Sequence, residues 1–217
     1  MDETTAPCPR EQTLAEEIVN SVTHGVGLLR ALTVRPVLVA AAARRGDAAN
    51  VVGASVFGAT LILLYLASTL YHALPQNRAK RLFQLFDHVA IFLLIAGTYT
   101  PFTLGVLRGA WGWTLFGLIW GMAIFGVVLK AVRGTKCPRL SMGLYLAMGW
   151  LVLIAVRPVL ANVPPLGLVW IAAGGVAYTS GVAFFAAERM RYNHCIWHLF
   201  VMAGSACHVL AVLWYAA

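Results

Sequence analysis

SVFGATLILLYLASTLYHAL, residues 55–74, decides the fold. It carries no acid, lysine or arginine over twenty residues, about the number a helix needs to cross the hydrocarbon core of a bilayer. Two of its residues do not belong to a plain lipid-facing span. Ser68 and His72 stand four apart near its end, which is about one helical turn, so they share a face. An ionisable side chain at such a depth is costly and marks a functional site by default.

The rest of the chain reads the same way. It has 217 residues, is 60% hydrophobic and only 11% charged, where a soluble domain carries about 25% charged residues. The reading is an all-α, seven-transmembrane-helix bundle, with residues 1–16 as an N-terminal tail and 17–217 as a single membrane domain. The spans are predicted near Ile18–Ala43, Asn50–His72, Leu82–Leu107, Trp111–Val132, Leu140–Val156, Leu166–Ala187 and Tyr192–Tyr215. Breakers separate most of them: RRGD at 44–47, LPQN at 74–77, Arg108-Gly109, RGTKCP at 133–138 and RPVLANVPP at 157–165. The fifth span is short. Arg30 and Arg35 interrupt the first: Arg35 can reach the far interface, while Arg30 must snorkel or find a partner. No cleavable signal is expected in the polar, acidic first 17 residues.

Loop charges orient the bundle. One side collects ten cations, Arg10, Arg78, Lys80, Arg81, Lys130, Arg133, Lys136, Arg139, Arg189 and Arg191. The other collects four, Arg44, Arg45, Arg108 and Arg157. Positive loops stay inside, so the N-terminus is expected in the cytoplasm and the C-terminus outside. The net charge of +8 is accounted for by these loops, and no nucleic-acid partner is expected. The four cysteines are scattered. Cys195 and Cys207 share one helix about 18 Å apart by rise, too far to bridge, and no CxxC metal motif is present.

The topology brings polar residues of three spans to one depth. His72 ends the second span, Asp87 lies in the first turns of the third, and His194 and His198 open the seventh, again four apart. Two imidazoles at that spacing can bind one metal ion, and a third from another helix completes a three-histidine site. Zinc held by His72, His194 and His198 would keep a fourth position for water, whose pKa it lowers to about 7. Asp87 is then better placed as base or hydrogen-bonding partner than as ligand, and Ser68 could hydrogen-bond the water or a substrate carbonyl. The residues alone leave open that His194 and His198 are interfacial histidines bonded to headgroups. His88 points about 100° away from Asp87 and reads as structural. His208, about 15 Å beyond His198 by rise, reads as a buried hydrogen-bonding residue that cannot share the ion. Glu17, Asn20 and His24 form a second polar stripe at the same end, lining an entrance or tying helices together.

Packing signals are present but say little about function. Gly117 and Gly121 recur at four residues, as do Ala173, Ala177 and Gly181, and small residues at that spacing let helices approach. Pro101 is expected to kink the third span. Trp111, Trp113, Trp150, Trp170 and Trp214 read as interfacial or core anchors.

EEIVNSVTHGVG at 16–27, the opening stretch at 55–74, LFDHVAIFLLIAGTYTPF at 85–102 and IWHLFVMAGSACHVLAV at 196–212 together resemble the hemolysin III family. That family is the bacterial branch related to the progestin and adipoQ receptors and grouped with the alkaline ceramidases. Its pattern, Ser-x3-His, Asp and His-x3-His, falls on Ser68, His72, Asp87, His194 and His198 without a departure. The resemblance implies zinc on the three histidines, with Asp87 and Ser68 contacting the zinc water. It also implies a protein of membrane lipid homeostasis whose partners are membrane lipids. The leading expectation is a zinc-dependent hydrolase of a lipid amide or ester. The alternatives are a non-catalytic sensor with structural zinc and a membrane-perturbing hemolysin.

Overall fold

The computed structural model describes residues 10, 12–45, 47–187 and 189–216. Eight α-helices and one 3₁₀ turn make up the regular structure among them. They are α1 (Leu14–Arg44), α2 (Ala48–Ala73), α3 (Arg78–Leu104), α4 (Ala110–Arg133), α5 (Pro138–Gly149), the 3₁₀ turn Leu151–Ala155, α6 (Val156–Asn162), α7 (Pro165–Ala186) and α8 (Asn193–Tyr215). With α5, the 3₁₀ turn and α6 counted as one, seven segments are long and apolar enough to cross a membrane.

Local chemistry sets the boundaries. Asp47 caps α2, its carboxylate accepting the Ala49 N–H at 2.8 Å. Asn77 caps α3 by accepting the Lys80 N–H at 2.9 Å. Such caps satisfy amides that a helix start leaves without partners. Pro138 and Pro165 stand at first helical positions, where a missing N–H costs nothing. The fifth span differs from its prediction. Most of the presumed breaker at 157–165 is helical as α6, and the break lies earlier, in the 3₁₀ turn at Leu151–Ala155. Pro158 explains the shift: its ring and missing N–H oppose an α-helix running in from the preceding turn, but suit the first turn of a new one.

The core lies between α1, α2, α3 and α8. Leu38, Phe57, Leu61, Leu64, Ala90, Leu94, Val201 and Val212 are buried together there. A smaller cluster of Phe92, Ala96, Ile119, Ala123 and Met148 joins α3, α4 and α5. α7 packs on α8, and α5 rests lightly on α3 and α4. Two packing expectations change. Gly117 and Gly121 have no neighbour within 4 Å of where a Cβ would sit, so they mediate no helix contact among the described residues. On α7 the buried small residues are Gly167, Gly174 and Gly181, seven apart, while Ala173 is exposed. A heptad spacing keeps one stripe toward a neighbouring helix; the four-residue reading chose a stripe that drifts off it. Arg35 lays its stem across Gly58, whose Cβ would come within 2.7 Å of the Arg35 Cγ. Arg30 is exposed on the outer face of α1.

Candidate metal centre

One end of the bundle holds the starts of α1, α3 and α8 and the finish of α2. Its geometry begins with Glu16. In a capping box, Thr13 accepts the Glu16 N–H at 3.3 Å and gives its own N–H to Glu16 Oε2 at 2.9 Å. The same carboxylate accepts the Tyr192 N–H at 2.9 Å and an Arg10 guanidinium N–H at 2.9 Å. One side chain thus ties the first turn of α1 to the residue from which α8 starts. Tyr192 carries a left-handed φ of 58°, uncommon for a residue with a side chain, and turns the chain into α8 so that His194 and His198 face inward.

His72, His194 and His198 converge. Each offers one ring nitrogen within 4.8 Å of the other two. Their ring centroids lie 4.9, 5.1 and 4.5 Å apart for the pairs His72–His194, His72–His198 and His194–His198. His72 Nε2, His194 Nε2 and His198 Nδ1 are buried and have no hydrogen-bond partner among the described residues. A buried, unpartnered polar atom costs about 1–3 kcal/mol, so three gathered at one point need a common partner. Imidazole lone pairs suit a zinc-type metal ion. These residues could hold a metal ion, and the orphaned nitrogens fit one.

His72 is held in a defined tautomer. Its Nδ1–H donates to Glu17 Oε2 at 2.7 Å, which leaves Nε2 free. Glu17 Oε1 in turn pairs with Lys80 Nζ at 3.0 Å. Lys80 also donates to the Tyr71 and Leu74 carbonyls at 3.0 and 3.2 Å. The His72, Glu17 and Lys80 side chains are 1%, 15% and 5% exposed, so water screens this chain of contacts little. A carboxylate on the far nitrogen of a ligating imidazole orients the ring and raises its basicity.

Asp87 and Ser68 are both buried near the imidazoles. Asp87, His194 and His198 line one cavity. Ser68 lies within reach of the Asp87 carboxyl, yet its Oγ has no hydrogen bond of normal geometry. Ser68 and the Asp87 carboxyl thus stand side by side at the edge of the imidazole group. His88 and His208 stay out of the converging group: the His88 carbonyl accepts the Tyr145 hydroxyl at 2.8 Å, and His208 Nδ1 lies 2.8 Å from the Gly204 carbonyl.

Two features were not legible from spacing. Of the stripe of Glu17, Asn20 and His24, Glu17 and His24 are part of the centre itself, while the Asn20 amide donates to Gln12 at 2.8 Å. Glu17 grips His72, and His24 stacks on His198 with centroids 3.4 Å apart and planes 13° from parallel. Both His24 nitrogens are buried without hydrogen-bond partners among the described residues. The available signal was a carboxylate inside an apolar helix, which demands a cation or donor; nothing in the sequence named His72 and Lys80 as those groups.

Space adjoins the centre on two sides. A cleft of about 570 Å³ between the start of α1 and the end of α2 reaches Glu17, His72 and Lys80. On the other side an apolar cavity of about 120 Å³ runs from Asp87, His194 and His198 to Thr98 and His208. A second, of about 290 Å³, continues from Thr98 and His208 to Leu107, Leu115 and Val163 at the opposite end.

Comparison with known proteins agrees with this architecture. The model of the haemolysin-III related family matches residues 12–209. The chain is 43% identical to a hemolysin-3 of Bacillus cereus over 204 residues, covering 94% of this chain and 93% of that protein. It is 41% identical to a hemolysin-3 homolog of Bacillus subtilis over 203 residues, covering 94% and 95%. Similarity extends to the human monocyte to macrophage differentiation factor, at 29% over 170 residues, 74% of this chain and 68% of that one. With its seven apolar segments and these bacterial relatives, the chain is a multi-pass bacterial membrane protein and belongs to the haemolysin-III related family.

Proposed function

We propose that this protein is a zinc-dependent intramembrane hydrolase of a lipid amide or ester bond, with its metal centre toward the cytoplasm. One observation carries the reading. Three unpartnered imidazole nitrogens meet Asp87 and an unpartnered Ser68 beside an apolar cavity, which is what hydrolysis of a lipid requires: a cation site, a proton acceptor, a hydrogen-bond donor and room for a chain.

A zinc ion on His72, His194 and His198 supplies Lewis acidity at neutral pH. The protein's own residues do the rest. Glu17 fixes the His72 ring through Nδ1, and Lys80 fixes Glu17. Asp87 Oδ accepts the proton of the attacking water and returns it to the leaving group. Ser68 Oγ–H donates to the carbonyl oxygen of the scissile bond. The apolar cavity takes the acyl chain and excludes water around it, and the polar cleft at Glu17 and Lys80 gives water a path in and a polar product a path out. Lateral access from the membrane is between α5 and α7, which both line the apolar cavity and pack little on each other.

Zinc-loaded wild type and Asp87→Asn should be incubated with ceramides, acyl amides and phospholipids. Zinc-dependent product release by the wild type alone supports the hydrolase. Zinc that raises the melting temperature with no product from any class leaves the sensor reading, in which the metal clasps α2 to α8.

A further inference from the structure

His208 lies ten residues past His198, about 15 Å along α8 by helical rise. It is 7% exposed and lines both apolar cavities where they meet. The fold makes a place for this ring. A Cβ on Gly174 of α7 would come within 2.3 Å of His208 Cε1, so only glycine leaves the room. Tyr178, one turn further along α7, stacks with the ring, centroids 5.4 Å apart and planes 15° from parallel.

The hydrogen bonding at this level is one-sided. His208 Nδ1 is 2.8 Å from the Gly204 carbonyl. A carbonyl only accepts, so Nδ1 carries the proton, and in the neutral ring Nε2 is a bare acceptor. No described residue hydrogen-bonds Nε2. Thr98, at the same junction, gives its hydroxyl proton to the Leu94 carbonyl at 2.8 Å. Thr179 gives its proton to the Gly175 carbonyl at 2.8 Å. The Tyr99 hydroxyl is spent on the Met148 and Gly149 carbonyls at 3.0 and 2.9 Å. Thr179 also accepts the Trp150 indole N–H at 3.2 Å, the Tyr99 hydroxyl accepts the Val152 N–H at 3.0 Å, and the Tyr178 hydroxyl is paired with Ser205 at 3.0 Å, so the acceptors left at the junction are His208 Nε2 and the Thr98 oxygen.

We propose that His208 and Thr98 form a second polar subsite, which accepts a hydrogen bond from a hydroxyl carried partway along the acyl chain of the bound lipid. It rests on the reading of the bundle interior as the lipid's place, and not on hydrolysis. A plain methylene chain leaves Nε2 unsatisfied, and an ether or carbonyl oxygen brings no proton to Nε2 or to the Thr98 oxygen. A hydroxyl supplies the missing donor. Sites built around a substrate hydroxyl discriminate against analogues that lack it, because the site's own polar group is then left unpaired.

The test is competitive displacement of a fluorescent fatty acid from the purified, zinc-loaded full chain by three eighteen-carbon acids. These are stearate, a mid-chain hydroxystearate and the methyl ether of that hydroxystearate. The hydroxy acid should bind roughly three- to tenfold more tightly than stearate, as one net hydrogen bond gives, and the ether should show no gain. His208→Phe, which keeps a ring against Tyr178, should erase the difference between hydroxy acid and stearate. If that variant does not fold, Thr98→Val should reduce the difference, and the wild-type comparison of hydroxyl with ether needs no variant. Equal affinities of hydroxystearate and stearate for the wild type overturn the subsite while leaving the lipid reading in place; a resident water satisfying Nε2 would give that result. A preference that survives in His208→Phe also overturns it. Failure of all three acids to displace the probe overturns both the subsite and the acyl reading of the cavity.

Discussion

Each end of the bundle has a carboxylate paired with a cation, and the two pairs do different work. At the metal-centre end Glu17 stands between His72 and Lys80, with side chains 15%, 1% and 5% exposed. At the other end Asp47 pairs with Arg108, 31% and 52% exposed. Asp47 is first of all a helix cap: its bond to the Ala49 N–H, and then the Arg108 guanidinium, hold its carboxyl below the usual carboxylate range. Arg108 also donates to the Leu104 carbonyl at 2.9 Å and to Asn50 at 3.3 Å, so it staples the α3–α4 turn to the start of α2. Water and salt screen this pair, and exposed ion pairs contribute little. The buried pair is screened far less, and its carboxylate sets the orientation of an imidazole. The same residue chemistry gives a cap at one end and a brace for the candidate metal centre at the other, and burial makes the difference.

That contrast can be broken at several points. The largest effect should come from the imidazoles. His198→Ala should abolish zinc binding by elemental analysis of protein purified without chelator, because a two-histidine remnant is a poor site, whereas His208→Ala should leave occupancy unchanged. A wild type that carries no metal would remove the centre altogether. Next comes Asp87→Asn. The amide keeps the shape but cannot accept a proton, so turnover should fall by about 10²–10⁴-fold with zinc content nearly unchanged; equal loss of metal and turnover would make Asp87 a ligand instead.

Glu17→Gln should weaken zinc binding by about 10–100-fold, read by chelator competition. In cobalt-substituted protein it should shift the visible bands, which a change in helix packing alone would leave in place. An unchanged affinity would reduce Glu17 to a helix tie like Asp47. The smallest effect should be at Asp47. Its folded pKa is depressed, so its contribution is present above the ordinary carboxylate pKa and is lost as pH falls through the folded value. Melting temperature should therefore drop between neutral and acidic pH slightly more in wild type than in Asp47→Asn, and high salt should shrink that gap. Loss of zinc in Asp47→Asn would contradict the separation of the two ends.

Much of this molecule was readable before any coordinates. Seven apolar runs with breakers between them leave few ways to cross a bilayer, because backbone polar groups in lipid must be satisfied within each helix. Helical periodicity is local, so Ser68 with His72 and His194 with His198 share faces whatever surrounds them. Alternating helix direction then brings Asp87, His72 and the His194–His198 pair to one depth. How each helix is rotated and which neighbour it meets are not local properties. They settled that Glu17 grips His72, that His24 stacks on His198, and that the α7 seam runs through Gly167, Gly174 and Gly181 rather than Ala173 and Ala177. They also put His208 at the junction of two cavities with one nitrogen unspent. Depth follows from counting residues along a chain of fixed rise; partnership between helices follows from packing, where side-chain volumes on every neighbour choose the rotation together.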